Sequence, residues 1–280
     1  MLNKLSAAFA CALGLGLAGC GGGSGAAVHI ATPVQTTSQS LTAFKTQWGM
    51  ELSPAQVCSS DISAATSTHA SVIRVQYLPA LQPRTCYDGI YATAKHAGLK
   101  VLWITPAVDL NAPVDPASYA RIMAAAARSY PGSTWELMNE PDLHQPDISD
   151  YWNDEALAER QYLSIATAAA PAIHAADRTA VVISGGPSGF ESNNPSLPWL
   201  HATLPLAPLV DGVSFHPYSG VNLQQIHAIG QLWNKPVYIT EWSTDNGGII
   251  EAYLAAYNGV VPLFNYCGQA CNRTAVPIFP

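Results

Sequence analysis

The chain has 280 residues, of which 49% are hydrophobic and only 11% charged, a length that buries a sizeable core without help from metals or oligomerisation. Its formal net charge of −7 excludes binding nucleic acid or anionic lipid through charge, since both need basic patches. Neutral partners stay open, and a strongly acidic polymer is disfavoured.

The first residues read as an export signal. Lys4 supplies a positive start, Ala7 to Leu17 a short apolar run, and Leu17-Ala18-Gly19-Cys20 a close of small residues before a cysteine. The run is shorter than the ~20 residues that span a bilayer. The tetrad resembles the lipobox of bacterial lipoproteins. That resemblance implies that residues 1–19 are a signal peptide and that Cys20 carries lipid at the mature N-terminus. Residues 20–40 would then be a tether, flexible through Gly21-Gly22-Gly23-Ser24-Gly25. The expected location is a bacterial cell envelope, membrane-anchored and facing the periplasm or the surface. Gly14-x-Gly16-x-x-Gly19 matches the dinucleotide fingerprint, but outside a strand–helix junction the match carries no meaning.

From Thr46 onward, short apolar runs alternate with helical stretches. A strand is predicted near Thr46–Leu52 and another over Ser71–Tyr77. A helix follows over Thr85–His96 with Gly98 as its cap, then a strand over Lys100–Thr105. Asp115-Pro116 is a capping residue before proline at the first helical position, opening a helix to Ser129. A strand at Thr134–Met138 precedes a helix over Asp154–Ala176, which Pro171 should kink or divide. Strands at Ala180–Ser184 and Gly212–Phe215, a helix at Leu223–Trp233, a strand at Pro236–Thr240, a helix at Gly248–Tyr257 and a strand at Val260–Asn265 complete the series.

Near-continuous apolar strands alternating with helices predict a parallel sheet buried on both faces. Residues 41–280 suit one (β/α)8 barrel, with a shortened or degenerate last unit because the tail is short and rich in Pro and Cys. A doubly wound open sheet is the alternative.

Of the 6 cysteines, Cys11 falls in the signal and Cys20 at its end. Cys58, Cys86, Cys267 and Cys271 remain, an even number suited to an oxidising compartment. Three pairings are open; the short loops favour Cys58–Cys86 and Cys267–Cys271. Cys267-x-x-x-Cys271 has no ligand pair to make it a zinc site. The histidines show no metalloenzyme spacing, so no metal and no cofactor is expected. Gly185-Gly186-Pro187-Ser188-Gly189 imitates a nucleophile elbow but has Phe190 where the closing glycine belongs, and reads as the loop after the fifth strand.

Barrel enzymes keep their chemistry at the C-terminal ends of strands. Strand four ends in Asn139-Glu140-Pro141, strand six in His216-Pro217-Tyr218 and strand seven in Thr240-Glu241-Trp242. Barrel closure sets strands four and seven across one mouth, where two carboxyls ~5–5.5 Å apart would suit retaining glycoside cleavage. One would be a neutral acid and the other an ionised nucleophile. Arg74, in the second strand, would point its guanidinium into the mouth and hold the nucleophile as a carboxylate, or else serve a structural ion pair. Tyr218 could donate to Glu241, and His216 could bind sugar or orient a carboxylate. Trp242 is placed to be a sugar platform. Trp48, Trp103 and Tyr77 lie near other strand ends and either line subsites or pack in the core.

Asn139-Glu140-Pro141 after a strand, with Thr240-Glu241-Trp242 far downstream, resembles clan A of the glycoside hydrolases. The resemblance implies a retaining (β/α)8 enzyme, with Glu140 as acid/base, Glu241 as nucleophile and Asn139 binding the sugar 2-hydroxyl. Asn-Glu-Pro-Asp, Phe-His-Pro-Tyr and Thr-Glu-Trp make family 39 the most similar member, with family 5 as competitor. The expected activity is hydrolysis of β-linked poly- or oligosaccharide, such as bacterial exopolysaccharide, by a monomer whose partners are its carbohydrate substrate and the membrane. A barrel that has lost turnover and acts as a tethered polysaccharide-binding protein is the alternative.

Overall fold

The computed structural model describes residues 47–52, 58, 62, 65–66, 70–110, 113–142, 155–187, 196–216, 223–241 and 263–266. All lie in the compact unit Leu41–Pro280.

The fold is a single-domain (β/α)8 barrel. Its strands are β1 (Gln47–Glu51), β2 (Val72–Gln76), β3 (Lys100–Ile104), β4 (Thr134–Glu136), β5 (Val181–Ile183), β6 (Val213–Phe215), β7 (Val237–Ile239) and β8 (Leu263–Tyr266). They form one 8-stranded sheet in the order β5-β4-β3-β2-β1-β8-β7-β6, with every pairing parallel. A parallel bridge between Ile183 and Gly212 joins the two edges, so the sheet closes. Closure rules out the open doubly wound sheet.

The strands alternate between two environments, as period-2 side chains must. Ile73, Val75, Val101, Trp103, Trp135, Val213, Phe215, Val237 and Ile239 point outward into the main core with the helices. Val72, Leu102, Ile104 and Ile183 form a separate small cluster, the apolar filling of the barrel itself. Polar residues in phase with that inner set, Arg74, Glu136 and Ser214, are buried as well. The same alternation that builds the core therefore aims these side chains at one point.

The helices are α1 (Arg84–His96), α2 (Pro116–Ser129), α3 (Glu155–Ala176), α4 (Ser196–Ala202) and α5 (Leu223–Trp233). Gly98, at φ 74°, ends α1 in the left-handed conformation that only glycine adopts without strain. Asp115 caps α2, its Oδ1 accepting from the backbone of Ala117 and Ser118 at 3.1 Å each. Helix α3 is not divided at Pro171. The proline sits on the exposed side while Ala158, Tyr162, Ile165, Ala166, Ala169, Ala170 and Ile173 are buried, so packing carries the helix past the missing N–H.

Between β5 and β6 the chain forms α4 and a 3-10 helix over Leu204–Leu209, neither expected from the sequence. Pro198, Pro205 and Pro208 break the apolar periodicity there, although Pro198 falls in the first turn, where its missing N–H has no helical partner to lose. The expected helix over Gly248–Tyr257 lies outside the described residues.

Cys58 and Cys86 form a disulfide that ties the segment after β1 to the start of α1. The second expected pair, Cys267 and Cys271, lies outside the described residues, as do Cys20 and the proposed signal and tether.

Candidate active site

Arg74 organises the mouth of the barrel. It is fully buried, and a guanidinium can only donate, so each contact fixes an acceptor. Nε donates to Glu136 Oε2 at 2.7 Å, Nη1 to Glu241 Oε1 at 2.5 Å and Nη2 to Asn139 Oδ1 at 2.5 Å. Glu51 Oε2 lies 2.9 Å from Nη1. The ends of β1, β4 and β7 thus converge on one cation carried by the middle of β2, whose proton is held more firmly than usual by Glu136, Glu51 and Glu241 against the cost of burial.

Glu136 is the anionic floor. Its Oε1 accepts from Ser214 Oγ at 2.9 Å, Thr240 Oγ1 at 2.8 Å and the Gly186 backbone at 3.2 Å. Burial alone would raise its pKa, but the Arg74 charge and His216 outweigh it and hold the carboxyl down at about 2. Ser214 Oγ and Thr240 Oγ1 are also in contact; each has one proton, so a bond between them forms only when one of them turns away from Glu136.

His216 links this floor to Glu140 and Glu241. Its Nε2 is 3.0 Å from Thr240 Oγ1 and its Nδ1 is 3.1 Å from Glu140 Oε1. Burial lowers the affinity for a proton, but Glu241, Glu136 and Glu140 together overcome it and push the pKa up to about 10. As imidazolium, both ring nitrogens donate, to Thr240 on one side and Glu140 on the other.

Glu140 and Glu241 each place a carboxylate oxygen within 4.8 Å of the other and of a His216 ring nitrogen. Glu241 is nearly buried, with 8% of its side chain exposed, and Glu140 more open at 14%. The trio has the spacing of a cation site, and a metal there would have to displace the proton that His216 holds up to about pH 10. The arrangement suits proton transfer and nucleophilic attack.

The backbone at the end of β4 is unusual. Met138 and Glu140 both have positive φ, 70° and 41°, a conformation that costs a non-glycine residue about 1–3 kcal/mol. Met138 N donates to Thr105 Oγ1 at 2.8 Å and Glu140 N to Gly186 O at 3.0 Å, which holds the turn. The twist presents Asn139 and Glu140, neighbours in sequence, to the same mouth. Asn139 gives its oxygen to Arg74, so its amide nitrogen is the end left to donate to a ligand.

The glycines after β5 allow this close approach. A Cβ on Gly185 would lie 2.4 Å from the Leu137 carbonyl, and one on Gly186 would lie 2.6 Å from both His216 Nε2 and Ser214 Oγ. Gly185 and Gly186, which open the segment that imitates a nucleophile elbow, therefore pack against the turn that carries Glu140 and against His216.

Of the residues expected from the sequence, Arg74, Asn139, Glu140, His216 and Glu241 meet here. Trp103 does not. It is fully buried and points outward between sheet and helices, 5.1 Å from the Tyr130 ring and 5.9 Å from the Tyr87 ring, with Nε1 bonded to Ser133 Oγ at 3.2 Å. Its position is out of phase with Arg74, so the pleat turns it away from the mouth. Tyr77 joins the same cluster, 4.7 Å from Tyr87. Tyr218, Trp242 and the side chain of Trp48 lie outside the described residues.

Glu51, Glu136, Ser214 and Thr240 were not expected to form part of the site. A charge inside an apolar strand, as in Met50-Glu51-Leu52 and Trp135-Glu136-Leu137, was the available signal. Burial of Glu51 pushes its carboxyl up to about 8, against the pull of Arg74.

No family model matches the chain, and no curated protein matches its sequence. Solved structures do match its fold. A psychrophilic glycoside hydrolase family 10 endo-β-1,4-xylanase is 12% identical with a TM-score of 0.55, over 79% of this chain and 85% of that one. A family 30 endoxylanase from Clostridium papyrosolvens C71 is 15% identical with a TM-score of 0.54; 79% of this chain covers 64% of that enzyme, so the chain spans less than two thirds of its length. A D-psicose 3-epimerase from Clostridium cellulolyticum H10 is 12% identical with a TM-score of 0.53, over 79% and 84% of the two chains. These likenesses show the barrel fold, which hosts different reactions.

Proposed function

We propose that the protein is a retaining glycoside hydrolase that cleaves β-linked poly- or oligosaccharide by double displacement. The observation that carries this reading is the pair of carboxyls at the ends of β4 and β7, with oxygens within 4.8 Å, one of them fixed by a buried arginine. An inverting pair would stand ~6.5–9.5 Å apart to admit a water between them.

Glu241 attacks the anomeric carbon as Glu140 gives its proton to the departing glycosidic oxygen. A covalent glycosyl ester forms on Glu241, and Glu140, now a carboxylate facing the His216 Nδ1 donor, takes a proton from the water that hydrolyses it. Arg74 favours Glu241 as the ionised nucleophile and positions the Asn139 amide, whose oxygen it holds so that the nitrogen is the end turned to donate to the sugar.

The motifs similar to family 39 support a compact member acting on bacterial exopolysaccharide. The Leu17-Ala18-Gly19-Cys20 tetrad supports a lipid anchor in the cell envelope. Intact-mass measurement after exposure to 2-deoxy-2-fluoro glycosides of several sugars tests the mechanism. An adduct mapping to Glu241 is the expected result and names the sugar accepted. No adduct with any sugar, alongside measurable oligosaccharide binding, would instead support a polysaccharide-binding barrel.

A further inference from the structure

Glu51, unlike Glu136 with its full set of hydrogen bonds, is a carboxyl of this mouth that the double displacement leaves without a task, and its assignment here rests on that reading of the site. It closes β1, is 5% exposed, and places Oε2 at 2.9 Å from Arg74 Nη1, the same nitrogen that donates to Glu241 Oε1. The distance is that of a hydrogen bond, but the direction is not: among the described residues, buried Glu51 Oε2 has no hydrogen-bond partner. Nη1 is aligned on Glu241, and Glu51 stands beside that bond rather than at the end of one.

An ionised carboxylate so placed would be costly. A buried charge needs hydrogen bonds as well as a counter-charge, and the Arg74 N–H groups bonded in the mouth are aligned on Glu136, Glu241 and Asn139, with none aligned on Glu51 Oε2. The charged groups facing Glu51 are Arg74 from β2, Glu136 from β4, His216 after β6 and Glu241 after β7. On its other flank β1 pairs with β8, whose titratable residue is Tyr266, in register with Met50. The cations Arg74 and His216 balance the anions Glu136 and Glu241 when Glu51 is uncharged.

We propose that Glu51 is a positioning residue that acts on the nucleophile through Arg74: uncharged, it leaves Nη1 to Glu241, and ionised, it draws Nη1 away. Its proton leaves to water, and the only bond exchanged is the Nη1 hydrogen bond. Burial keeps this carboxyl protonated up to about pH 8, so the nucleophile loses its arginine in mildly alkaline solution while Glu241 itself is unchanged.

The test is the rate at which a 2-deoxy-2-fluoro glycoside with a dinitrophenolate leaving group labels Glu241. That leaving group departs without a proton, so Glu140 does not shape the profile. In the wild type the labelling rate should fall about tenfold between about pH 7 and about pH 9, as one group with a midpoint near 8 ionises. In Glu51→Gln, which keeps the shape and cannot ionise, the profile should be flat over that range whatever its absolute height. The same slope in both proteins overturns the proposal. Should Glu51→Gln not fold, carbon NMR of wild type labelled at glutamate Cδ decides: a Glu51 resonance that titrates in the ordinary carboxylate range overturns it equally. If no sugar labels Glu241, the glycosidase reading fails by itself. The Glu51 titration, followed together with the Arg74 Nε resonance that should shift with it, then still decides whether Glu51 controls the guanidinium.

Discussion

Arg74 Nε and Glu136 Oε2 are 2.7 Å apart, 62 residues apart in sequence, and neither side chain is exposed. The pair joins β2 to β4 inside the barrel, and Glu241, Asn139, Ser214 and Thr240 each bond to one partner or the other. A charge so enclosed is tolerated because its geometry is complete, and breaking it from one side leaves the partner uncompensated.

Glu136→Gln should therefore destabilise the fold by about 3–5 kcal/mol, far more than its near-identical shape suggests. Denaturant unfolding should show a lower midpoint at an unchanged slope. A midpoint equal to wild type would mean that Arg74 is satisfied without the anion.

Stability should also depend on pH in a way these groups dictate. His216 binds its proton more tightly folded than unfolded, about 10 against 6.5, so its contribution is complete below 6.5 and lost as pH rises to 10. Glu51 acts in the same sense, losing stability between 4.5 and about 8. Glu136 acts oppositely: its folded value of about 2 lies below 4.5, so stability is lost as pH falls through that window. Thermal midpoints should peak in weakly acidic solution and decline on both sides. A plateau running through the alkaline window would contradict a protonated His216.

Reduction of the Cys58–Cys86 bond provides a third expectation. It closes a loop of sequence separation 28, for which chain entropy gives about 3–4 kcal/mol of stabilisation. The Cys58→Ala, Cys86→Ala variant should unfold at lower denaturant and be insensitive to added thiol. An unchanged midpoint would mean that the segment after β1 is held by its packing alone.

What could be read from the sequence followed from period and punctuation. Each strand was legible within a few residues because a parallel strand buried on both faces is a short apolar run, and Asp115-Pro116 and Gly98 mark helix ends by chemistry. Glu140 and Glu241 were legible because a carboxylate at a strand's end has no packing reason to be there. Glu51 and Glu136 were hidden because their partner Arg74 is remote in sequence and only barrel closure brings them together. Trp103 was misplaced by its nearness to a strand end, where phase with Arg74 was the better guide. The proline-rich helices before β6 have no period to read.

Replacing the acid/base should separate substrates by leaving group. Glu140→Gln keeps a hydrogen-bonding side chain opposite His216 Nδ1 but has no proton to give. Glycosides with poor leaving groups should lose about 10²–10⁴-fold in kcat/KM, while dinitrophenyl glycosides should lose little. Equal loss on both would remove Glu140 from the proton-transfer role.

The glycine pair after β5 allows a sharper comparison. Gly186→Ala would put a methyl group 2.6 Å from His216 Nε2 and from Ser214 Oγ, both fully buried. The imidazole has no room to retreat, since Thr240 lies at 3.0 Å on the same side and Glu140 at 3.1 Å on the other. The ring must tilt, and its donor to Glu140 goes with it, so turnover should fall at least tenfold and more steeply than stability. Gly98→Ala is the control. It has φ 74° but nothing within 4 Å of the added methyl, so it should cost about 1 kcal/mol of backbone strain. Its place at the end of α1 is remote from the polar layer, and kcat/KM should match wild type. If Gly186→Ala is as active as Gly98→Ala, the close packing of β5 against His216 has no part in setting the mouth.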